Sequence, residues 1–239
     1  MLVEAGTLRT IGRYPVKSMA RDEMGRAAVL EHGIHGDRVY HFADQSRNEG
    51  KASWITARRI SGLVLYKPQF ISVPYNVEVT TPSGHLWNAE NPKLAAEISK
   101  LYGKDVELRS TPDGTMDQSP ISMISMQTVR ALSREMGALL GSKIDLDPWR
   151  FRANLYVDWH AEGAFFEDTL VGREMVIGTA AFRIVGRDPR CVMIDIDPDN
   201  AEKVDLYRLV QREHERHAGV YAEVLRDGVI ARQDPVYII

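Results

Sequence analysis

Short runs in which apolar and polar residues alternate dominate this chain. GTLRTIGRYPV (6–16), AAVLEHGIHGDRVYHFAD (27–44), PQFISVPYNVEVTTP (68–82) and KDVELRS (104–110) mix β-branched and aromatic residues with Gly, Pro, Asn and Asp breaks, the pattern of short strands joined by turns. The same period resumes in RFRANLYVD (150–158), REMVIGTAAFRIVGRDPR (173–190) and GVYAEVLRDGVIARQDPVYII (219–239). In the last of these, Asp227-Gly228 between alternating apolar positions predicts a hairpin. Helical spacing is confined to three stretches. Residues 91–103 open with Asn91 as N-cap and Pro92 in the first turn, and close at Gly103. Residues 125–137 have Ser125 as N-cap and an apolar stripe at Met126, Val129, Leu132 and Met136, and 200–217 is strongly charged on one face. Between the first two helices, STPDGTMDQSP (110–120) is rich in breakers and reads as a linker, dividing the chain into 1–112 and 113–239. The expectation is an α+β fold, mainly β, with barrel-like closure and a few helices.

Composition narrows the function classes. In 239 residues, 44% are hydrophobic and 26% charged, enough apolar surface for one large domain or two small packed ones. A net charge of −3 provides no basic field for phosphate backbones, so nucleic acid is not an expected partner. No stretch approaches the roughly 18 to 20 apolar residues of a membrane span, and MLVEAGTLRTIGRYPVKS lacks the basic-then-apolar order of a secretory leader. The expected location is cytoplasmic, without membrane partners. A single cysteine, Cys191, excludes an internal disulfide. Arginine outnumbers lysine 22 to 8, and Arg38, Arg58, Arg150, Arg152 and Arg190 fall beside turns or strand ends, where a planar fork can grip an anion.

Three distant segments concentrate the chemistry: YPVKS (14–18), RFRAN (150–154) and DPRC (188–191). Each places a basic group beside a small polar or soft one at a strand end, where scaffolds present functional groups. Lys17 and Ser18 pair a charge with a hydroxyl. Arg150, Arg152 and Asn154, if in a strand, share one face, and two guanidiniums on one face require an anion or carboxylate against them. A positive neighbour, Arg190, favours the thiolate of Cys191, although a lone cysteine is often only a small buried hydrophobe. The seven histidines show no metal-ligand spacing with Cys191, His32 and His35 are a weak hint of zinc, and DPDN (197–200) lacks the remaining ligands of a calcium loop.

Taken in order, IGRYPVKSM, EHGIHGDRVYHFAD and WITARRISGLVLY resemble the N-terminal β-barrel domain that accompanies the MOSC family. SPISMISMQTVRAL, DPWRFRANLYVD, DTLVGREMVIG, RIVGRDPRCVMIDIDPDN and HAGVYAEVLRDGVIARQDPVYI resemble the MOSC domain itself. The resemblance spans nearly the whole chain and implies a MOSC-type barrel packed with a smaller β-rich N-terminal domain. It further implies a molybdenum-pyranopterin (Mo-molybdopterin) cofactor, with Cys191 as the metal ligand beside the pterin dithiolene. By the same resemblance Lys17, Ser18 and Arg38 contact the pterin and its phosphate, Ser125 and Thr128 add hydroxyls at a helix start, Arg152 and Asn154 line the site, and Arg190 flanks the ligand. The implied activity is reduction of N-hydroxylated substrates (amidoximes, hydroxylamines, N-hydroxylated bases), with Asp195 the nearest acid for proton delivery and Asp197 beside it. Electrons are expected from a separate flavin, haem or iron–sulfur protein, because no four-cysteine cluster motif is present in this sequence. Two other classes are compatible with the same residues: a cofactor or sulfur carrier using Cys191, and a metal-free enzyme on the same fold. Departures from the family pattern are Met19-Ala20-Arg21 after YPVKS, Ala153 between Arg152 and Asn154, and Thr56-Ala57-Arg58-Arg59.

Overall fold

The computed structural model describes residues 2–48, 50–72 and 75–239; Val73 and Pro74, inside the run read as strands at 68–82, lie outside them. The first strands are β1 (Val3–Arg13), β2 (Asp22–Met24), β3 (Arg26–Leu30), β4 (Gly33–Ile34) and β5 (Tyr40–Asp44). There follow β6 (Lys67–Ser72), β7 (Asn76–Thr80), β8 (Leu86–Asn88), α1 (Pro92–Tyr102) and β9 (Val106–Ser110). The second half holds β10 (Ile121–Ser125), α2 (Met126–Leu140), β11 (Leu155–Trp159), β12 (Glu174–Ile177) and β13 (Ala180–Pro189). The last elements are α3 (Leu206–Glu213), β14 (His217–Arg226), β15 (Gly228–Ala231) and β16 (Pro235–Ile238).

Seven strands close into a barrel in the order β11, β10, β14, β13, β12, β16, β1, with β1 pairing back onto β11. Closure leaves no hydrogen-bonding edge exposed. β10 and β11 run parallel, which requires a crossover, and α2 lies in it; the other barrel pairs are antiparallel. The inward residues of each strand fill the barrel: Leu8, Ile11, Val157, Phe182, Ile184 and Val220 are all fully buried. A second core, built from Val16, Phe42, Ile55, Tyr66, Val79, Leu94 and Ile98, lies under α1 and the small sheets β5–β9 and β6–β7–β8. A third joins α2 to α3 through Leu132, Met136, Trp149, Leu206 and Val210.

These pairings cross the expected boundary between 1–112 and 113–239. β1 is a staple of the C-terminal barrel, and β3 pairs with β15, so Leu8, Ile11, Ala27, Val29 and Ile34 belong to the barrel core. The remainder of the N-terminal segment forms two small open sheets rather than a barrel of its own. The hairpin at Asp227-Gly228 is also corrected: β15 leaves β14 and pairs antiparallel with β3. Gly228 permits that crossing, because a Cβ there would lie 2.5 Å from the Ala180 nitrogen.

The caps expected for α1 are present. The Asn91 side chain accepts from the Lys93 amide, Pro92 occupies the first turn and Gly103 closes the helix at φ 79. α2 runs past 137 to Leu140 and stops at Gly141, φ 66. Gly137 is an interior glycine whose missing Cβ would sit 2.7 Å from the Ser142 carbonyl, so it lets the following chain fold back against the helix. α3 is shorter than expected, since residues 197–203 are tied into a turn and His217 already begins β14.

Candidate functional site

A cavity of about 350 Å³ opens where the barrel meets the N-terminal sheets, within the range of small-ligand sites. Its walls come from eight places in the chain. The turn after β1 contributes Lys17 and Ser18, the turn before β5 contributes Arg38, and the loop after β5 contributes Lys51, Thr56 and Arg58. The linker contributes Met116 to Ser119 and β10 contributes Ser122. The 3-10 turn Pro148–Phe151 and the residues after it contribute Arg150, Arg152 and Asn154; β13 and its exit contribute Asp188 to Cys191, and β14 contributes Tyr221. Lys17, Arg38, Lys51, Arg58, Arg150, Arg152 and Arg190 make seven cations against two carboxylates, Asp117 and Asp188. An acidic protein has gathered a positive field at one concave place.

The backbone is bent to make this site. Ser18 (φ 68), Arg38 (φ 52) and Arg152 (φ 51) all hold the left-handed conformation without being glycine, and strain of this kind persists where surrounding structure over-determines it. Arg38 is locked on both sides: its amide donates to the Tyr14 carbonyl at 2.8 Å and its carbonyl accepts from the Thr115 amide and hydroxyl. Arg152 follows the 3-10 turn, its amide donating to the Trp149 carbonyl. The expectation that Arg150, Arg152 and Asn154 alternate along a strand is therefore corrected, because β11 begins only at Leu155. A tight turn rather than a pleat brings all three to one cavity.

Carboxylates pair with four of the seven cations, and two of those acids, Asp37 and Asp188, are buried. Asp37, 2% exposed, accepts from the Tyr14 amide at 2.6 Å, from Asn154 Nδ2 at 3.1 Å and from Arg38. Asn154 also donates to the Gly12 carbonyl and accepts from the Ser122 amide, so its amide ties β1, β10 and Asp37 together behind the cavity wall. Arg150 pairs with Asp197 at 2.6 Å and donates to the Asp195 carbonyl. Arg190 pairs with Asp188 at 2.9 Å and donates to the Phe151 and Ala218 carbonyls, while its Nη2 is buried with no partner. Burial raises the Asp188 carboxyl, against the pull of Arg190, Ser122 and Tyr221. Gly219, φ 81, leaves room for that guanidinium: a Cβ there would stand 3.0 Å from Nη2. Arg152 stands outside these four. Among the described residues no carboxylate pairs with it, its guanidinium rests 4.3 Å above the Tyr14 ring, and burial lowers its pKa.

Lys17 is 6% exposed and donates to the Thr115 carbonyl at 3.0 Å and to Asp117 Oδ1 at 3.1 Å. Burial brings its pKa down to about 8; Asp117 opposes the shift, and Arg38 and Arg152 add to it. A bound anion prefers the protonated amine. Anion affinity in this cavity therefore falls as pH rises through about 8, by up to about tenfold per unit above it. Calorimetric titration with sulfate, whose charge is constant over that range, is expected to show this slope in the wild type and to lose it in Lys17→Met; an unchanged slope in the variant contradicts the assignment.

Cys191 begins the 3-10 turn Val192–Asp195, where the chain leaves β13. The turn is pinned by the Arg190 amide on the Arg216 carbonyl at 2.7 Å. Its thiol is half-buried and free. Of the residues expected at the site, Lys17, Ser18, Arg38, Arg152, Asn154, Arg190 and Cys191 all line the cavity.

Ser125, Thr128 and Asp195 do not. Ser125 is fully buried as the cap of α2, accepting from the Thr128 amide at 3.0 Å. Thr128 donates its hydroxyl to Glu167 Oε1 at 2.9 Å, and the same carboxylate oxygen accepts from the Ser125 amide. The anion at this helix start is the protein's own Glu167. Ser125→Ala is thus expected to cost about 1 kcal/mol of stability through the lost cap, measured by denaturant unfolding, with sulfate affinity at the cavity unchanged. A matching loss of affinity contradicts this assignment. The Asp195 carboxylate accepts from the Tyr207 amide at 2.6 Å and organises the start of α3. Sequence reasoning missed Asp188, Ser122, Tyr221 and Asp117; only the position of Asp188 in DPRC was visible beforehand.

A family model described as the MOSC domain matches residues 102–237. The chain resembles the crystal structure of the YuaD protein from Bacillus subtilis over 100% of its own length and 98% of that chain, at TM-score 0.52 and 15% identity, a likeness of fold. YiiM from Escherichia coli is matched over 100% of this chain and 70% of that one, at TM-score 0.45 and 11% identity. No curated protein matches.

Proposed function

Because the chain belongs to the MOSC-domain family, whose model covers more than half of it, we propose that the cavity holds a molybdenum-pyranopterin and that the protein reduces N-hydroxylated substrates such as amidoximes and hydroxylamines. The observation that carries this reading is a single half-buried thiol, Cys191, in a cavity wall where cations outnumber carboxylates seven to two.

The residues fit that group. Among the described residues no set of three or more His, Cys, Asp and Glu side chains could hold a metal ion, so one thiolate suffices only for a metal that arrives with ligands of its own, as a dithiolene-bound one does. Among the described residues Arg152 pairs with no carboxylate and Lys17 adds an ammonium, two donors for a phosphate, while Arg190 Nη2, beside Cys191, has no acceptor. When bound, the group supplies two-electron redox chemistry at a soft metal centre.

The chain's own residues would hold and orient the group. Cys191 would hold the metal through Sγ, Arg152 and Lys17 would hold the phosphate and Arg38 the pterin, while the Asp37–Asn154 tie keeps Arg38 in place. Cleaving the substrate N–O bond consumes two electrons and two protons and releases the oxygen as water. The electrons come from a separate donor protein carrying flavin, haem or iron–sulfur. Asp195 does not hold these protons, because its carboxylate is turned toward the start of α3, where it accepts from the Tyr207 amide.

The test is expression in a host that makes the cofactor, followed by metal and pterin analysis and a benzamidoxime assay with dithionite-reduced methyl viologen. Near-equimolar molybdenum and pterin with benzamidine formation is expected. A protein that carries neither overturns the reading, and molybdenum with sulfur release but no reduction favours carriage.

A further inference from the structure

The cations of the cavity fall into two groups. Lys17, Arg38, Arg150 and Arg190 are each paired with a carboxylate, respectively Asp117, Asp37, Asp197 and Asp188, and Arg152 lies half-buried on Tyr14. Lys51 and Arg58 differ. Both are exposed, both line the cavity from the loop after β5, and neither has a carboxylate within ion-pair distance among the described residues. Lys51 Nζ donates to the Asp117 carbonyl at 2.5 Å, which fixes the ammonium against the opposite lip of the mouth, and Arg58 Nε reaches Thr56 Oγ1 at 3.5 Å. Among the described residues Asp117 is paired with Lys17. The mouth thus carries two positive charges beyond the four that these carboxylates balance.

We propose that Lys51 and Arg58 form an oxyanion subsite at the mouth, selecting N-hydroxylated substrates that carry a carboxylate or phosphate group remote from the N–O bond. This rests on the reductase reading. An ion pair in open water contributes little, but a guanidinium fork and an ammonium held across the mouth of a concave, positive site act together on the same group. Their exposure separates them from the buried Lys17 and the half-buried Arg152, which would hold the cofactor phosphate.

The test compares 4-carboxybenzamidoxime with benzamidoxime on molybdenum-loaded protein, wild type against the double variant Lys51→Ala/Arg58→Ala. The wild type is expected to favour the carboxylated substrate in kcat/KM, and the double variant to lose about tenfold of that preference. Calorimetry with the products, 4-carboxybenzamidine and benzamidine, reads the same preference without turnover, so it decides the subsite even if neither amidoxime is reduced. Equal effects on both compounds overturn the proposal. Loss of molybdenum from the double variant assigns the pair to the cofactor instead, and a defect in both substrates that excess donor protein rescues assigns it to donor docking; either overturns it. The phosphonate analogue of the amidoxime distinguishes carboxylate from phosphate preference within the same subsite.

Discussion

Cys191→Ala is expected to lower amidoxime reduction by at least about 100-fold, since losing even an outer partner of a metal ligand costs about 10–100-fold, while the fold survives. The thiol is half-buried, it makes no side-chain hydrogen bond among the described residues, and it sits at a turn held by backbone contacts of Arg190 and Ile194. Truncation there removes one sulfur and little packing, so the stability change stays within about 0.5 kcal/mol, as for surface substitutions away from structural features. Steady-state kinetics, thermal unfolding and molybdenum analysis together check the prediction. Retained activity at full molybdenum content rejects Cys191 as the ligand.

The second large effect is on stability. Arg190→Ala is expected to destabilise the protein by about 3–5 kcal/mol, the range for removing one partner of a buried pair. It leaves Asp188, 2% exposed, with the Ser122 and Tyr221 hydroxyls and the field of Arg38 to stabilise its charge, and it strands the Phe151 and Ala218 carbonyls. The sign with pH follows from the direction of the Asp188 shift. Its folded carboxyl already titrates above the ordinary value, and removing Arg190 raises it further. The unfolded chain then releases that proton at lower pH than the folded one, so the variant loses stability as pH rises from the ordinary carboxylate value up through the raised folded one. Arg190→Lys is expected to recover only part of the loss, because an ammonium cannot reach the carboxylate and both carbonyls in one plane. Denaturant unfolding at pH 5 and pH 8 measures both. A loss below about 1 kcal/mol contradicts the pairing.

Much of the site was legible beforehand because its signals are local. A lone thiol after Pro-Arg, a Lys-Ser turn and an arginine-rich segment each mark a strand end by composition, and the resemblance placed them together; all seven of those residues meet at one cavity. The failures have a common physical origin. Ser125 and Thr128 form a capping pattern, and such a pattern looks the same whether the helix start receives a ligand or an internal carboxylate; Glu167, about forty residues on, supplies the anion. Asp195 lies four residues from Cys191, yet the 3-10 turn between them rotates its carboxylate toward α3. The Asp227-Gly228 signal describes a turn but not which strand receives the chain afterward, and β3 was the better neighbour. β1 was read as N-terminal because of its position, whereas barrel closure needs a strand between β11 and β16 and takes it from the chain's beginning. Long-range pairing of this kind carries no local mark. Asp37 and Asp188 were missed for the reverse reason: nothing local marks an acid within GDR or DPR as a partner for arginine, and only the packed structure reveals them as the counter-charges of Arg38 and Arg190.

The central claim is that Cys191 completes the coordination of a molybdenum brought in by a pyranopterin. X-ray absorption at the molybdenum edge tests it most directly, on wild-type protein and on Cys191→Ser, both loaded in the same host. The account predicts one more sulfur ligand in the wild type than in the variant, the difference being the Cys191 thiolate. An identical sulfur count in the two proteins, at equal molybdenum occupancy, contradicts it.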